Sequence, residues 1–276
     1  DFGETRTLQT VRTAHGWRVR RSGGVRLADP RTLGAYRRID TPHFVIWTPP
    51  DLTAPEATLE AGYTRMRDLI RQGRLRRRYL VIVARDPADA RRLTGSIGGL
   101  EGVTAVTASI VHLTGDERRV NEVGALRFII VADTFADQTS DGQQQVVIHE
   151  LAHAILTPLT SGRVPSWLRE GIAEYVSEDY RLQEAQFYRS GGEAPTLAAL
   201  AAPDAIGRLE GTTQSAAYAV SAATAYEIAQ RFGRDKLIKL YLVYNDPSLK
   251  GRTGDPKLTE RAVRRVLGVS MADLGA

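Results

Sequence analysis

The sequence contains no cysteine. That excludes disulfides, thiol catalysis and thiolate-bound zinc, and leaves histidine and carboxylate as the ligand types open to a metal. It leaves the compartment undecided. No apolar run approaches the ~18 residues of a membrane-spanning helix, and no internal repeat is present. The chain opens at Asp1 with neither a Met nor a charged-then-apolar leader. We therefore expect a mature or excised form of an extracellular or cell-surface protein, with an anchor before Asp1 left open. With 42% hydrophobic and 25% charged residues the composition excludes a disordered or fibrous chain. Its 276 residues suffice for one full core with or without a small appendage.

Charge excludes little more. Lys and Arg number 37 against 32 Asp and Glu, a weak attraction to anionic surfaces. The densest run, Arg71-Gln72-Gly73-Arg74-Leu75-Arg76-Arg77-Arg78, lacks interleaved aromatics and falls where a helix should end. It reads as a solvated terminus near the negative end of the helix dipole, so no nucleic-acid partner is expected. Gly95-Ser96-Ile97-Gly98-Gly99 lacks the Gly-Lys-Ser/Thr of a phosphate loop and reads as flexible loop.

What the chain does have is His149-Glu150-Leu151-Ala152-His153 inside a helical stretch beginning at Gln143. Residues four apart on a helix lie one above the other, so the two imidazoles can close on one ion while Glu150 projects beside it as a general base. With five His in the chain, the expected number of accidental matches is on the order of 0.005. This is the pattern of a zinc hydrolase.

Around it the chain reads as follows. Residues 1–35 carry two strand-like pieces, Thr7 to Arg12 and Gly16 to Arg20, and form an N-terminal arm or the remnant of a small β-rich domain; a boundary falls near Arg31 to Ala35. Residues 36–276 form the main domain. Strands are expected at His43 to Trp47, Tyr79 to Ala84 (apolar throughout, hence buried on both faces), Val103 to Ser109, Ile110 to Thr114 and Leu126 to Val131. Helices are expected from Pro55 and over Asp86 to Leu93. A polar connection, Asp133 to Asp141, leads to the metal helix, which Pro158 ends, and Ser166 caps the next. Beyond Tyr180 the chain is mainly helical, with helices over Ala216 to Arg231, Arg234 to Tyr244 and Leu258 to Leu267. The class is α+β, an N-terminal mixed β-sheet with helices followed by a mainly helical half, with the metal helix at the junction.

A zinc hydrolase needs a third protein ligand and an open position. Candidates are His15, His43, His112, a carboxylate between Asp133 and Asp141, or one after the helix. Leu156 and Leu159 stand where a metzincin needs Gly and His, which excludes that class. His43 and His112, on strands, read as structural. Glu170 suits best, being far enough on for a helix end, a loop and entry into a neighbouring helix; Glu174, one turn later, can accept the free N–H of a ligating His. Two carboxylates amid Trp167, Leu168, Ile172 and Ala173 would be costly to bury without a cation.

These two segments together, His149-Glu150-Leu151-Ala152-His153 and Trp167-Leu168-Arg169-Glu170-Gly171-Ile172-Ala173-Glu174-Tyr175, resemble the gluzincin metallopeptidases. That is the superfamily of thermolysin and aminopeptidase N, and the likeness is greatest to its short bacterial peptidase-MA-like domains. The resemblance implies a thermolysin-like zincin domain, one Zn2+ per chain, Glu170 as third ligand and Glu174 as the acid behind a ligand. It also implies, through the Tyr-x-x-Ser pattern at Tyr218-Ala219-Val220-Ser221, that Tyr218 hydrogen-bonds a developing oxyanion. Read without the resemblance, Tyr218 is a packing aromatic on an amphipathic helix. Arg169 stands where thermolysin and aminopeptidase N have Asn, and no amine-binding Gly-rich Met-Glu-Asn motif precedes the helix. Endopeptidase action on a protein or peptide is therefore favoured. The alternatives are a cell-envelope binding or scaffolding module with a structural zinc, and a zinc hydrolase of a non-peptide amide.

Overall fold

The computed structural model describes residues 7–13, 16–23, 28–69, 76–95, 102–114 and 119–274. His15, residues 71–75 of the basic run and residues 96–101 of the glycine-rich stretch lie outside the described residues. The two N-terminal strands are present as β1 (Thr7–Thr13) and β2 (Gly16–Gly23), paired antiparallel in a two-stranded sheet.

Five further strands make a mixed sheet. They are β3 (Arg37–Asp40), β4 (Phe44–Thr48), β5 (Tyr79–Ala84), β6 (Ala105–Leu113) and β7 (Val120–Val131), in the spatial order β3-β4-β5-β7-β6. The inner strands β4, β5 and β7 run parallel, while β3 and β6 are antiparallel at the two edges. Parallel neighbours need crossovers. Here α1 (Glu56–Leu69) lies between β4 and β5 in the chain, and α2 (Pro87–Thr94) followed by β6 between β5 and β7. Side chains alternate across β5: Val81 and Val83 join the main core, Ile82 and Ala84 a smaller one with Ala90 and Leu93 of α2. Burial on both faces is what its unbroken apolar run predicts.

Two expectations change here. The pieces expected at Val103 to Ser109 and Ile110 to Thr114 are one strand, β6, which absorbs register shifts at Ile110/Val111 and His112/Leu113 without breaking. Its long antiparallel pairing also carries β7 back to Val120, ahead of the apolar stretch from Leu126.

The second half of the chain is mainly helical, with α3 (Ala132–Ala136), α4 (Ser140–Leu156), α5 (Ser166–Ser177), α6 (Leu182–Ser190), α7 (Gly211–Phe232), α8 (Arg234–Leu242) and α9 (Pro256–Leu267). The metal-motif helix α4 stands at the junction, as expected. The connection read at Asp133 to Asp141 instead contains most of α3 and the start of α4, because Thr139 caps α4 by accepting the Gly142 N–H at 3.1 Å. Pro158 does end the helix, inside a 3-10 turn over Thr157–Leu159. Ser166 is not the cap of α5. Pro165 occupies that position, and the Ser166 hydroxyl donates to the Leu200 carbonyl at 3.1 Å, tying α5 to a later segment.

Two glycines set the helix spacing around the site. A Cβ on Gly62 would lie 2.6 Å from Val147 Cγ1, where α1 crosses α4; one on Gly171 would lie 2.5 Å from the Ser221 carbonyl oxygen, where α5 crosses α7. Among the described residues no helix is long and apolar enough to cross a membrane.

Candidate active site

Helix α4 is held in the core on more than one side. Val147, Ile148, Leu151 and Ile155 are buried, and the Thr107 hydroxyl of β6 donates to the Glu150 carbonyl at 2.9 Å. The helix is thereby fixed against the sheet edge. At its end the Thr157 hydroxyl donates to the His153 carbonyl at 2.7 Å. On α5 the residues Trp167, Leu168, Ile172 and Ala173 fill the core, and the spacing of Glu170 and Glu174 turns both carboxylates toward α4.

The side chains meet there. His149 Nε2 and His153 Nε2 are 3.1 Å apart, His153 Nε2 lies 3.1 Å from Glu170 Oε2, and His149 Nε2 lies 3.6 Å from the same oxygen. Zinc bonds of about 2.0–2.1 Å in tetrahedral geometry require ligand atoms about 3.3 Å apart. The triangle has that size. Among the described residues no other three His or carboxylate side chains converge in this way. Of the other candidates, His43 is taken up by Glu60, with Nδ1 and Oε2 2.6 Å apart, and stacks on Tyr63 at 3.8 Å between ring centres. His112 is exposed on β6, and Asp133, Asp137 and Asp141 are exposed outside the cluster.

The charges around the triangle call for a cation. Burial alone would raise the Glu170 carboxyl, yet the imidazoles of His153 and His149 and the Arg169 guanidinium hold it well below the usual range. Glu174 is lowered too: burial is opposed by His149 and Arg181. Burial would lower His149, but Glu174 and Glu170 outweigh it and raise the imidazole well above its ordinary value. A buried cluster that draws protons onto an imidazole in this way is one that a divalent ion fits.

Glu174 lies with Oε2 3.7 Å from His149 Nδ1, on the ring edge away from the triangle, and its Oε1 is 3.4 Å from Arg181 Nη2. Glu150 is 8% exposed, and its Oε2 is buried with no hydrogen-bond partner. A buried carboxylate oxygen without a donor is costly and calls for a reason. Tyr218, half-buried on α7, faces the same space, and the nearby Glu170 charge, followed by burial, raises its hydroxyl so that it stays a donor.

Two cavities meet at His149, Glu150 and Tyr218. One, of about 360 Å³, continues past Gln145, Asp179 and Arg181; the other, of about 570 Å³, runs along β6 and past Arg169, Pro203 and Tyr241. Sequence reasoning missed Arg181 and Thr107. The only unusual trait of Arg181 is its left-handed backbone, φ 45°, which no motif announces. Thr107 is an ordinary strand residue until β6 is known to flank α4.

No family model matches the chain, and no curated protein does. Among solved structures the chain is similar to an M1 zinc metallopeptidase variant from Deinococcus radiodurans, with 14% identity, 87% of this chain and 50% of that one covered, and a TM-score of 0.47. It is also similar to that enzyme bound to a Tyr-Ser-Ala substrate, with 13% identity, the same coverage and a TM-score of 0.42. The chain thus spans about half the length of the structures it matches.

Proposed function

We propose that residues 36–276 form a zinc-dependent peptidase of gluzincin type, with residues 1–35 as an arm or the remnant of another domain. The observation that carries this reading is the convergence of His149 Nε2, His153 Nε2 and Glu170 Oε2 beside the unpartnered Oε2 of Glu150. When bound, zinc supplies Lewis acidity toward a carbonyl and brings the pKa of a bound water to about 7.

The chain's own residues do the rest. His149, His153 and Glu170 hold the ion, and Glu174 fixes the tautomer of His149 from its Nδ1 side. Glu150 Oε2 accepts the proton of the attacking water and returns it to the leaving amine. Tyr218 donates to the oxygen on which charge develops. Among the described residues β6 is an edge strand, and this edge is the place for an extended peptide, whose backbone groups can add as a further strand. Because cavities continue on both sides of Glu150, chain on both sides of a scissile bond can be housed, which supports endopeptidase action.

Zinc content and peptide cleavage of the wild type, Glu150→Ala and Glu170→Ala test the reading. The wild type binds about one equivalent of zinc and cleaves; Glu150→Ala keeps the zinc and loses on the order of 10²–10⁴ in rate; Glu170→Ala loses both. A zinc-free wild type sinks it.

A further inference from the structure

The two ends of the cleft differ in charge. In the cavity beyond Gln145, Arg181 is the only Lys or Arg among the described lining residues, and it is taken up by carboxylates: Nε lies 2.9 Å from Asp179 Oδ2, and Nη2 3.4 Å from Glu174 Oε1. In the cavity running along β6, Arg169 is the only Lys or Arg among the described lining residues. Its guanidinium is paired with one carboxylate, where that of Arg181 faces two. Nε donates to Glu170 Oε1 at 3.1 Å, and Nη2 donates to the Pro203 carbonyl at 2.8 Å. Glu170 meanwhile turns its other oxygen to two imidazoles, so its charge is shared.

A guanidinium carries five N–H groups, and these two bonds use two. Among the described residues none accepts from Nη1. The side chain is 39% exposed, against 10% for Glu170 beside it, and it lines the cavity with donors to spare. With Nε and Nη2 both tethered, little rotamer freedom remains to be lost on binding an anion, and a planar fork suits a carboxylate.

We propose that Arg169 determines specificity by binding a carboxylate of the substrate on the β6 and Tyr241 side of the scissile bond. That carboxylate is either an acidic side chain or a free C-terminus. The proposal rests on the peptidase reading for its consequence in turnover, but the binding of the carboxylate can be measured separately.

The experiment uses three peptides of equal length: one with a free C-terminus and no acidic side chain, one amidated with Glu scanned along the sequence, and one amidated with Gln in its place. Cleavage by zinc-loaded wild type, Arg169→Gln and Arg169→Lys is compared as kcat/KM, and binding to zinc-loaded Glu150→Gln, with and without Arg169→Gln, is measured by calorimetry. Charge-assisted bonds of this kind predict about tenfold or more in favour of one carboxylate-bearing peptide in the wild type. The ratio falls to near one in Arg169→Gln and is partly kept in Arg169→Lys; which peptide is favoured identifies the carboxylate. Equal treatment of all three by the wild type, or a preference unchanged in Arg169→Gln, overturns the proposal. If Arg169→Gln fails to fold or to load zinc, a ratio in Arg169→Lys equal to that of the wild type overturns it, and a reduced one upholds it. If the wild type cuts nothing, the peptidase reading fails while calorimetry still decides: preferred binding of one carboxylate-bearing peptide that is lost with Arg169→Gln upholds the role of Arg169, and equal binding, absent binding or a preference unchanged in Arg169→Gln removes it.

Discussion

Glu170 Oε2 lies 3.1 Å from His153 Nε2, although the two residues stand seventeen apart in the chain and on different helices. Nothing local brings them together; the packing of α5 between α4 and α7 does. An ion bound across that gap is bound by the folded state alone. A ligand at a hundred times its dissociation constant stabilises by about 2.7 kcal/mol. For a domain of this size that corresponds to a fall in Tm of roughly 5–10 °C when the metal is stripped. Differential scanning calorimetry with chelator should show that drop in the wild type, its reversal by added zinc, and little response in Glu170→Ala. A wild-type Tm indifferent to chelation would contradict ligation by these residues.

The helix spacing that makes this contact depends on two glycines, and they should not respond alike. Alanine normally favours a helix over glycine by about 1 kcal/mol. At Gly171 the new Cβ meets the Ser221 backbone carbonyl at 2.5 Å, with Ala225 Cβ at 3.1 Å, so backbone must move. Overpacking of this kind costs about 1–3 kcal/mol, which cancels or exceeds the helix gain. At Gly62 the nearest obstacle is the Val147 side chain, with Cγ1 at 2.6 Å, followed by Gln144 Nε2 at 3.1 Å; both are side chains, which can shift with less disturbance than a backbone carbonyl in a neighbouring helix. Urea unfolding should therefore rank Gly171→Ala below Gly62→Ala, and below the wild type. The opposite order would mean that α5 and α7 pack less closely than described.

Much of this site is legible in the sequence, and the reason is periodicity. His149, Glu150 and His153 are fixed relative to one another by one helix, and Glu170 and Glu174 by another. Each pair can be read from spacing, and burial amid Trp167 and Ile172 marks the second pair as in need of a cation. Strand β5 was legible because it is apolar on both faces. What stayed hidden depends on long-range pairing. The strand order β3-β4-β5-β7-β6 is encoded by no local pattern, and with it the role of Thr107 was out of reach. Ser166 looked like a cap because caps are read locally, whereas its hydroxyl is directed to Leu200 by tertiary packing. Arg181, which reaches Glu174, sits at a left-handed backbone position that no motif announces.

Away from the site, Glu60 gives a pH dependence of known sign. Burial would raise its carboxyl, but hydrogen bonds from the His43 ring, the Thr41 hydroxyl and the His43 amide outweigh burial and hold it below its usual 4.5. A carboxyl lowered in the folded state stabilises above its unfolded pKa, and that contribution is lost as pH falls through the folded value. The Tm difference between wild type and Glu60→Gln should therefore be full at neutral pH, begin to shrink below about 4.5 and close at lower pH. A difference that widens on acidification would reverse the assignment.

Glu174 offers the sharpest separation between holding a metal and merely folding around one. Its Oε2 faces His149 Nδ1 while Oε1 faces Arg181, so one carboxylate serves an imidazole and a guanidinium together. Replacing it by alanine leaves Arg181 in a partly buried site with one of its two carboxylate partners missing, and a loss of stability would then say nothing about the metal. Glu174→Gln keeps the volume and an acceptor but removes the charge that makes the His149 imidazole a stronger ligand. Partners of this kind typically contribute 10–100-fold to metal affinity. Competition with a chromogenic zinc chelator should accordingly show affinity falling by about that factor in Glu174→Gln, while metal-free Tm changes little. Unchanged affinity would reduce Glu174 to a counter-charge for Arg181; a large loss of metal-free stability with unchanged affinity would do the same, since it would locate the residue's contribution in α5 rather than in His149.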